Sequence, residues 1–170
     1  ATPGLPFKEV SEEWIELYNR SNADVVLTGW KLRGGIDYDF VPGTTIPAGQ
    51  YLVVANDAAV LAAKYPGISV VGDFDRNLSN HDDVVRLEAP DDNPADEVHY
   101  FEGNGEWPAL ADGLGFSLVP VNPTAIVDAN NSAQWRASSK AGGSPAASPT
   151  SRRARAKRVT ESIKNKTLLP

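Results

Sequence analysis

The chain has 170 residues, 41% of them hydrophobic and 22% charged, with two His and neither Cys nor Met. That is enough for one domain with a proper core and only marginally enough for two; without Cys, disulfides, thiolate zinc sites and thiol nucleophiles are excluded, and no apolar run approaches the length of a helix that crosses a bilayer. The net charge of −6 hides an asymmetry, since residues 151–170 carry seven Lys and Arg against Glu161, whereas the first 150 residues carry nine against 21 Asp and Glu. An acidic body repels the phosphate backbone, which argues against nucleic acid as a partner.

The chain opens with Ala1-Thr2-Pro3-Gly4-Leu5-Pro6-Phe7, which reads as a mature start with no charged-then-apolar leader. Three breakers in seven residues do not make a strand, so residues 1–8 are expected to be an extension. Short strand patterns then follow in order: Trp14–Tyr18, Val25–Leu27, Trp30–Leu32 and Tyr51–Ala55. Turn clusters at Asn19–Asn22, Pro42-Gly43 and Pro47-Ala48-Gly49 separate them. In Trp14–Tyr18 the aliphatic Ile15 and Leu17 should point inward, leaving Trp14, Glu16 and Tyr18 on the other face. One helix is predicted from Asp57 to Tyr65, capped by Asn56 or Asp57 and stopped by Pro66-Gly67.

The second half continues with strands at Ile68–Val71, Val84–Leu87, Glu97–Tyr100 and Phe116–Val119. Val84–Leu87 and Glu97–Phe101 should form a hairpin closed by Pro90-Asp91-Asp92-Asn93-Pro94. So many short strands at this spacing argue for an all-β sandwich or barrel. Ser139–Ser151 is rich in Ser, Pro and Gly, the composition of a boundary. Beyond it, residues 147–170 are expected to be a Pro/Ser linker and a flexible basic tail, solvated, docked on the acidic body, or serving as a polybasic patch for anionic polymers or membrane surfaces. Ala156, Val159 and Ile163 would give that tail one sparse apolar stripe if helical.

Chemistry-bearing residues concentrate between Asp73 and Asp83. Asp73, Asp75 and Asn77 have the alternating spacing of the first ligands of an EF-type calcium loop. The rest of that loop fails, because Leu78 stands where Gly is needed and Val84 where a bidentate Glu should close the shell. Calcium is thus the one cofactor candidate, against the alternative of a solvated acidic turn. Ser117, in Gly115-Phe116-Ser117-Leu118-Val119, lacks the second Gly of a nucleophile elbow and lies in a strand. His99 shares a strand face with Glu97 and Phe101, a surface arrangement rather than a catalytic base, and Gly34-Gly35 has neither the Lys nor the helix of a phosphate loop. No catalytic residue is expected.

Nine pieces in order carry a family resemblance: Glu13–Asn19, a Ser-Asn turn, Val26–Leu32, Pro42–Val54, Leu78-Ser79-Asn80, Val84–Leu87, Asp96–Tyr100, Trp107-Pro108, and Asp112–Leu118 with Trp135 and Gly143–Pro145. They resemble the lamin tail domain of bacterial secreted and surface proteins, over about residues 9–146. The resemblance implies an immunoglobulin-like β-sandwich and a non-catalytic module of a larger extracellular or cell-surface protein, with a protein or an envelope polymer as partner. It also implies that the family's first strand is missing, which would leave an open sheet edge and a route to self-association between chains. A polymer-binding accessory domain of a hydrolase is the contrasting reading, and it requires exposed aromatics among Trp14, Trp30, Trp107 and Trp135.

Overall fold

A computed structural model describes residues 12–79, 81–102, 106–111, 114–125, 127–142, 144–146 and 162–168. The expected N-terminal extension (1–8), Asn80 and the linker segment 147–161 lie outside the described residues. Strands occupy β1 (Trp14–Tyr18), β2 (Val25–Val26), β3 (Lys31–Gly34), β4 (Ile36–Asp39), β5 (Thr45–Ile46), β6 (Tyr51–Ala55), β7 (Val70–Gly72), β8 (Asp75–Arg76), β9 (Asp82–Glu88), β10 (Pro94–Phe101), β11 (Ser117–Pro120), β12 (Trp135–Ala137) and β13 (Ser162–Leu168). Among the described residues a single α-helix, α1 (Ala58–Lys64), interrupts them after β6.

Two sheets form the sandwich, in the orders β12-β11-β13-β1-β6-β7 and β10-β9-β3-β4-β8, with β2 and β5 as a separate ladder. Alternation along the strands supplies the core between them. Ile15, Leu17, Leu52, Val54 and Leu118 come from the first sheet, and Leu32, Ile36, Val85, Leu87, Val98 and Tyr100 from the second. Each fully buried aliphatic contributes about 1.5–3 kcal/mol relative to exposure, so this shared layer fixes which face of every strand is inner. The hairpin pairs as the sequence implies, with Val98 opposite Val85 and Glu97 opposite Arg86.

The outer face of β1 departs from expectation. Trp14 and Glu16 are buried, not solvated, because α1 packs Leu61 against Trp14, Val53 and Ala55. The helix begins where Asp57 accepts from the Val60 amide at 2.9 Å and ends where Pro66 has no amide to continue it. Further along β1, the Ala146 amide donates to the Glu16 carboxylate, which brings the 144–146 segment over the same face.

The C-terminal segment also differs from the flexible tail expected for 147–170. Ser162–Leu168 runs parallel to β1 in continuous register, Trp14 to Asn165 through Leu17 to Leu168. On its other side it pairs with β11, where Ser117 matches Ser162 and Leu118 matches Lys166 across an irregularity. The physical reason is tertiary: β1 and β11 would otherwise each end the sheet with unpaired amides and carbonyls, and a strand between them satisfies both rows.

Candidate interaction surface

The residues that looked most chemical are spent on holding the sandwich together. Glu13, fully buried, accepts from the Leu78 amide at 2.9 Å. Asp73 accepts from the Ala58 amide at 2.7 Å, so it serves the start of α1. Asp83 accepts from Ser79 at 2.9 Å through one oxygen and from its own neighbour Val84 through the other. The Tyr100 hydroxyl donates to the Ser79 carbonyl at 2.7 Å. The stretch from Asp73 to Asp83 is thereby stitched to β1, α1, β9 and β10.

The calcium candidates are placed accordingly. Asp73 is capping the helix, Asp75 is exposed in β8 opposite Asp37, and Asn77 is exposed in the following loop. Arg76 sits between them with a positive φ, its guanidinium 3.0 Å from Asp37 and 2.9 Å from the Gly34 carbonyl. A resident cation of the protein's own thus faces this acidic approach. Among the described residues no group of three or more His, Asp and Glu is placed to hold a metal.

Ser117 is fully buried beneath the sheet, and its carbonyl, not its hydroxyl, takes part in the local bonding by accepting from Ser138. His99 is exposed and stacks edge-on to Phe101 at 5.9 Å, on the strand face expected for it. His81 lies 2.6 Å from Glu102, both exposed, which makes a surface ion pair when the imidazole is charged.

The tryptophans decide whether a flat aromatic platform exists. Trp14, Trp107 and Trp135 are 3%, 7% and 7% exposed. Trp107 and Trp135 belong to the buried core, ring centroids 6.4 Å apart, and the Trp135 indole donates to the Ala129 carbonyl at 2.7 Å. Trp30 is half-buried against the core. A cavity of about 40 Å³ beside Trp135, lined also by Arg20, Asp96 and Val127, holds about one water and no sugar ring. Of the other partly exposed aromatics, Tyr65, Phe101 and Phe116 are half-buried, and Tyr18 and Tyr51 stack on each other at 4.5 Å across β1 and β6. Burial, with the Glu16 carboxylate and Tyr18 adding to it, pushes the Tyr51 hydroxyl well above its ordinary value. Burial does the same to Tyr100.

What is left to meet a partner is backbone edge and charged surface. Three of the four sheet edges, β7, β8 and β12, are only three, two and three residues long. The fourth, β10, has eight residues, and two of its amides are engaged by side chains: Glu97 donates to Asp96 at 2.9 Å and His99 to Asn130 at 2.7 Å. Side chains that occupy edge amides block pairing with another strand. For the self-association expected through open edges, the one long edge of these two sheets among the described residues is therefore partly blocked by side chains and the other three are short. The rim carries exposed or half-exposed ion pairs: Arg86 with Glu97 at 2.6 Å, Arg33 with Asp39, and Lys31 with Asp92.

Two sheets enclosing one core, a buried Trp107–Trp135 pair and a β1 motif bonded through Glu13 and Asn19 agree with the family suggested by the sequence, and a family model described as Lamin Tail Domain matches residues 2–102. The chain belongs to the lamin tail domain family. Its fold is the immunoglobulin-like sandwich of that family, and lamin tail domains are interaction or structural modules without catalytic machinery. The match takes in residues 2–8, which the sequence reading placed ahead of the domain. No curated protein matches the chain.

Two structural features of this lamin tail domain escaped sequence reasoning. Glu16, placed by the sequence on the face of β1 away from the core, and Glu13, just before that strand, are both buried and bonded to backbone amides. For Glu16 the signal available was its position in a strand whose two faces both carry large side chains. Gly34-Gly35, discounted as a phosphate loop, is a close-approach turn: a Cβ at Gly34 would lie 2.0 Å from the Val84 carbonyl oxygen, and one at Gly35 would lie 1.9 Å from Asp83.

Proposed function

We propose that this lamin tail domain is a non-catalytic interaction and spacing module of a larger bacterial secreted or cell-surface protein, with protein as its partner class. The observation that carries the reading is the use of the acidic and hydroxyl side chains: Glu13, Asp73, Asp83 and Tyr100 are all engaged by backbone groups of the fold. Catalysis needs such groups free to exchange protons with a substrate within hydrogen-bond reach. A partner would instead meet a rigid sandwich rimmed with charge, an arrangement that favours specificity and encounter rate over raw affinity.

The test compares the full-length protein with a version lacking residues 9–146. Loss of surface retention or partner binding, with the activity of any attached domain unchanged, is the expected result. Retention of the isolated domain on insoluble cell-wall polysaccharide, with a shift in tryptophan emission, would overturn the protein-partner reading in favour of the polymer one.

A further inference from the structure

Between β1 and β11 the sheet holds a seat for one strand. β1 pairs with β6 and β13, β11 pairs with β12 and β13, and no pairing joins β1 to β11 among the described residues. The six-stranded sheet is continuous only because Ser162–Leu168 lies in that seat, parallel to both neighbours. A parallel insertion cannot be made by a tight turn and requires a long connection. The chain has one: fifteen residues, 147–161, separate Ala146 from Ser162.

We propose that this seat is a strand-acceptor site whose occupant is interchangeable between copies, so that the Ser162–Leu168 strand of one molecule completes the sheet of a second, reciprocally. Four observations support it. The donor lies at the end of a long tether and pairs continuously with β1 alone, its ladder to β11 being broken by a register shift. The donor region, residues 151–170, carries a net charge of +6 while the rest carries −12, so a second copy's body attracts it as its own does. The other edges are short or, in β10, partly occupied by side chains, which leaves the seat as the place where backbone pairing with another chain gains most. Finally, an exchanged strand makes the same bonds it makes within one chain, so the two arrangements differ mainly in the entropy of the connection. Protein concentration and connection length set the balance.

Connection length gives the test. In the register observed, Ser162 lies five residues before Thr167, the partner of Glu16, hence about 16 Å along the strand from the level of Glu16. Ala146 is bonded to Glu16. Deleting residues 149–161 leaves two connecting residues, whose three Cα steps reach about 11 Å at most, so the strand cannot return to its own seat. At micromolar concentration the shortened chain is expected to be a dimer by light scattering and the full chain a monomer. A folded monomer of the shortened chain would overturn the proposal. Should the shortened chain precipitate, the full chain decides: it has no cysteine, so Ser151→Cys accepts one dye, and donor-labelled and acceptor-labelled chains are refolded together. Energy transfer in a dimer fraction that rises at least severalfold from micromolar to millimolar refolding concentration is expected, and none at any concentration refutes exchange.

Discussion

Replacing Asn19 with alanine should be among the most damaging polar substitutions in the domain. Asn19 ends the β1 motif and is 1% exposed. Its Nδ2 donates to the Ile46 carbonyl at 2.9 Å and to the Ala23 carbonyl at 2.8 Å, and its Oδ1 accepts from the Ser21 amide and hydroxyl at 3.0 and 2.7 Å. One side chain thus ties the end of β1 to β5 and shapes the turn between β1 and β2. In Asn19→Ala the Ile46 carbonyl loses this buried donor, at a cost of about 1–3 kcal/mol, while the part-buried bonds add about 0.5–1 kcal/mol in all, because Ala23 keeps the Ser21 hydroxyl and Ser21 can turn to water. The total is roughly 2–4 kcal/mol, or a fall in Tm on the order of 10 °C for a domain of this size. Ser21→Ala removes only bonds at the exposed side and should cost less than about 1 kcal/mol. Urea titration of both variants measures the difference. An Asn19→Ala protein within about 0.5 kcal/mol of the parent would show that the network does not hold the turn.

Three further outcomes follow from other parts of the fold. Gly34→Ala places a Cβ 2.0 Å from the Val84 carbonyl oxygen at a φ of +111° and should lower the unfolding free energy from urea titration by more than about 2 kcal/mol, whereas Gly49→Ala, at φ +67° with open space around it, should cost only about 1–2 kcal/mol. Tyr38, Tyr51 and Tyr100 are all raised above the ordinary phenol value, chiefly by burial, so the folded state favours their neutral form; the stability this supplies is whole below about pH 10 and is lost as pH climbs through the folded values. Phenolate absorbance should therefore show Tyr51 and Tyr100 ionising together with unfolding, and a smooth titration of all five tyrosines near pH 10 in a folded protein would refute their burial. Asp73→Ala removes an acceptor at the start of α1 and should destabilise by about 1 kcal/mol; millimolar calcium should leave the melting temperature of the parent unchanged, and a rise that Asp73→Ala abolishes would restore the metal reading.

Much of the architecture was legible because local pattern and tertiary role coincide. β1, β6 and α1 carry alternation, a cap and a Pro-Gly stop that mean the same thing in isolation as in the fold. The β9–β10 hairpin announces itself through its Pro-Asp-Asp-Asn-Pro loop, with Asp92 at a positive φ. β4 was missed because Asp37 and Asp39 flank Tyr38 directly after two glycines, a composition that reads as a turn, and β5 and β8 are two residues each, below the length at which alternation exists. The outer burial of Trp14 and Glu16 depends on a helix and a chain segment arriving from elsewhere, which no period in β1 can reveal. β13 is the extreme case: its alternating Lys and polar residues resemble a solvated tail, and it becomes a strand because β1 and β11 leave a gap of one strand between them. The candidate site was misread in the same way, since the sequence shows acids close together but not the amides they serve.

Amide hydrogen exchange over β1 in the full chain tests the completed sheet most directly. A strand with neighbours on both sides has every amide bonded, whereas an edge strand leaves every second amide to water. With β6 on one side and Ser162–Leu168 on the other, consecutive amides from Ile15 to Leu17 should all exchange slowly, and Lys166→Pro should release alternate ones while those facing β6 stay protected. Alternating fast and slow exchange along β1 in the parent protein would contradict the account, because it would mean that the seat between β1 and β11 is empty.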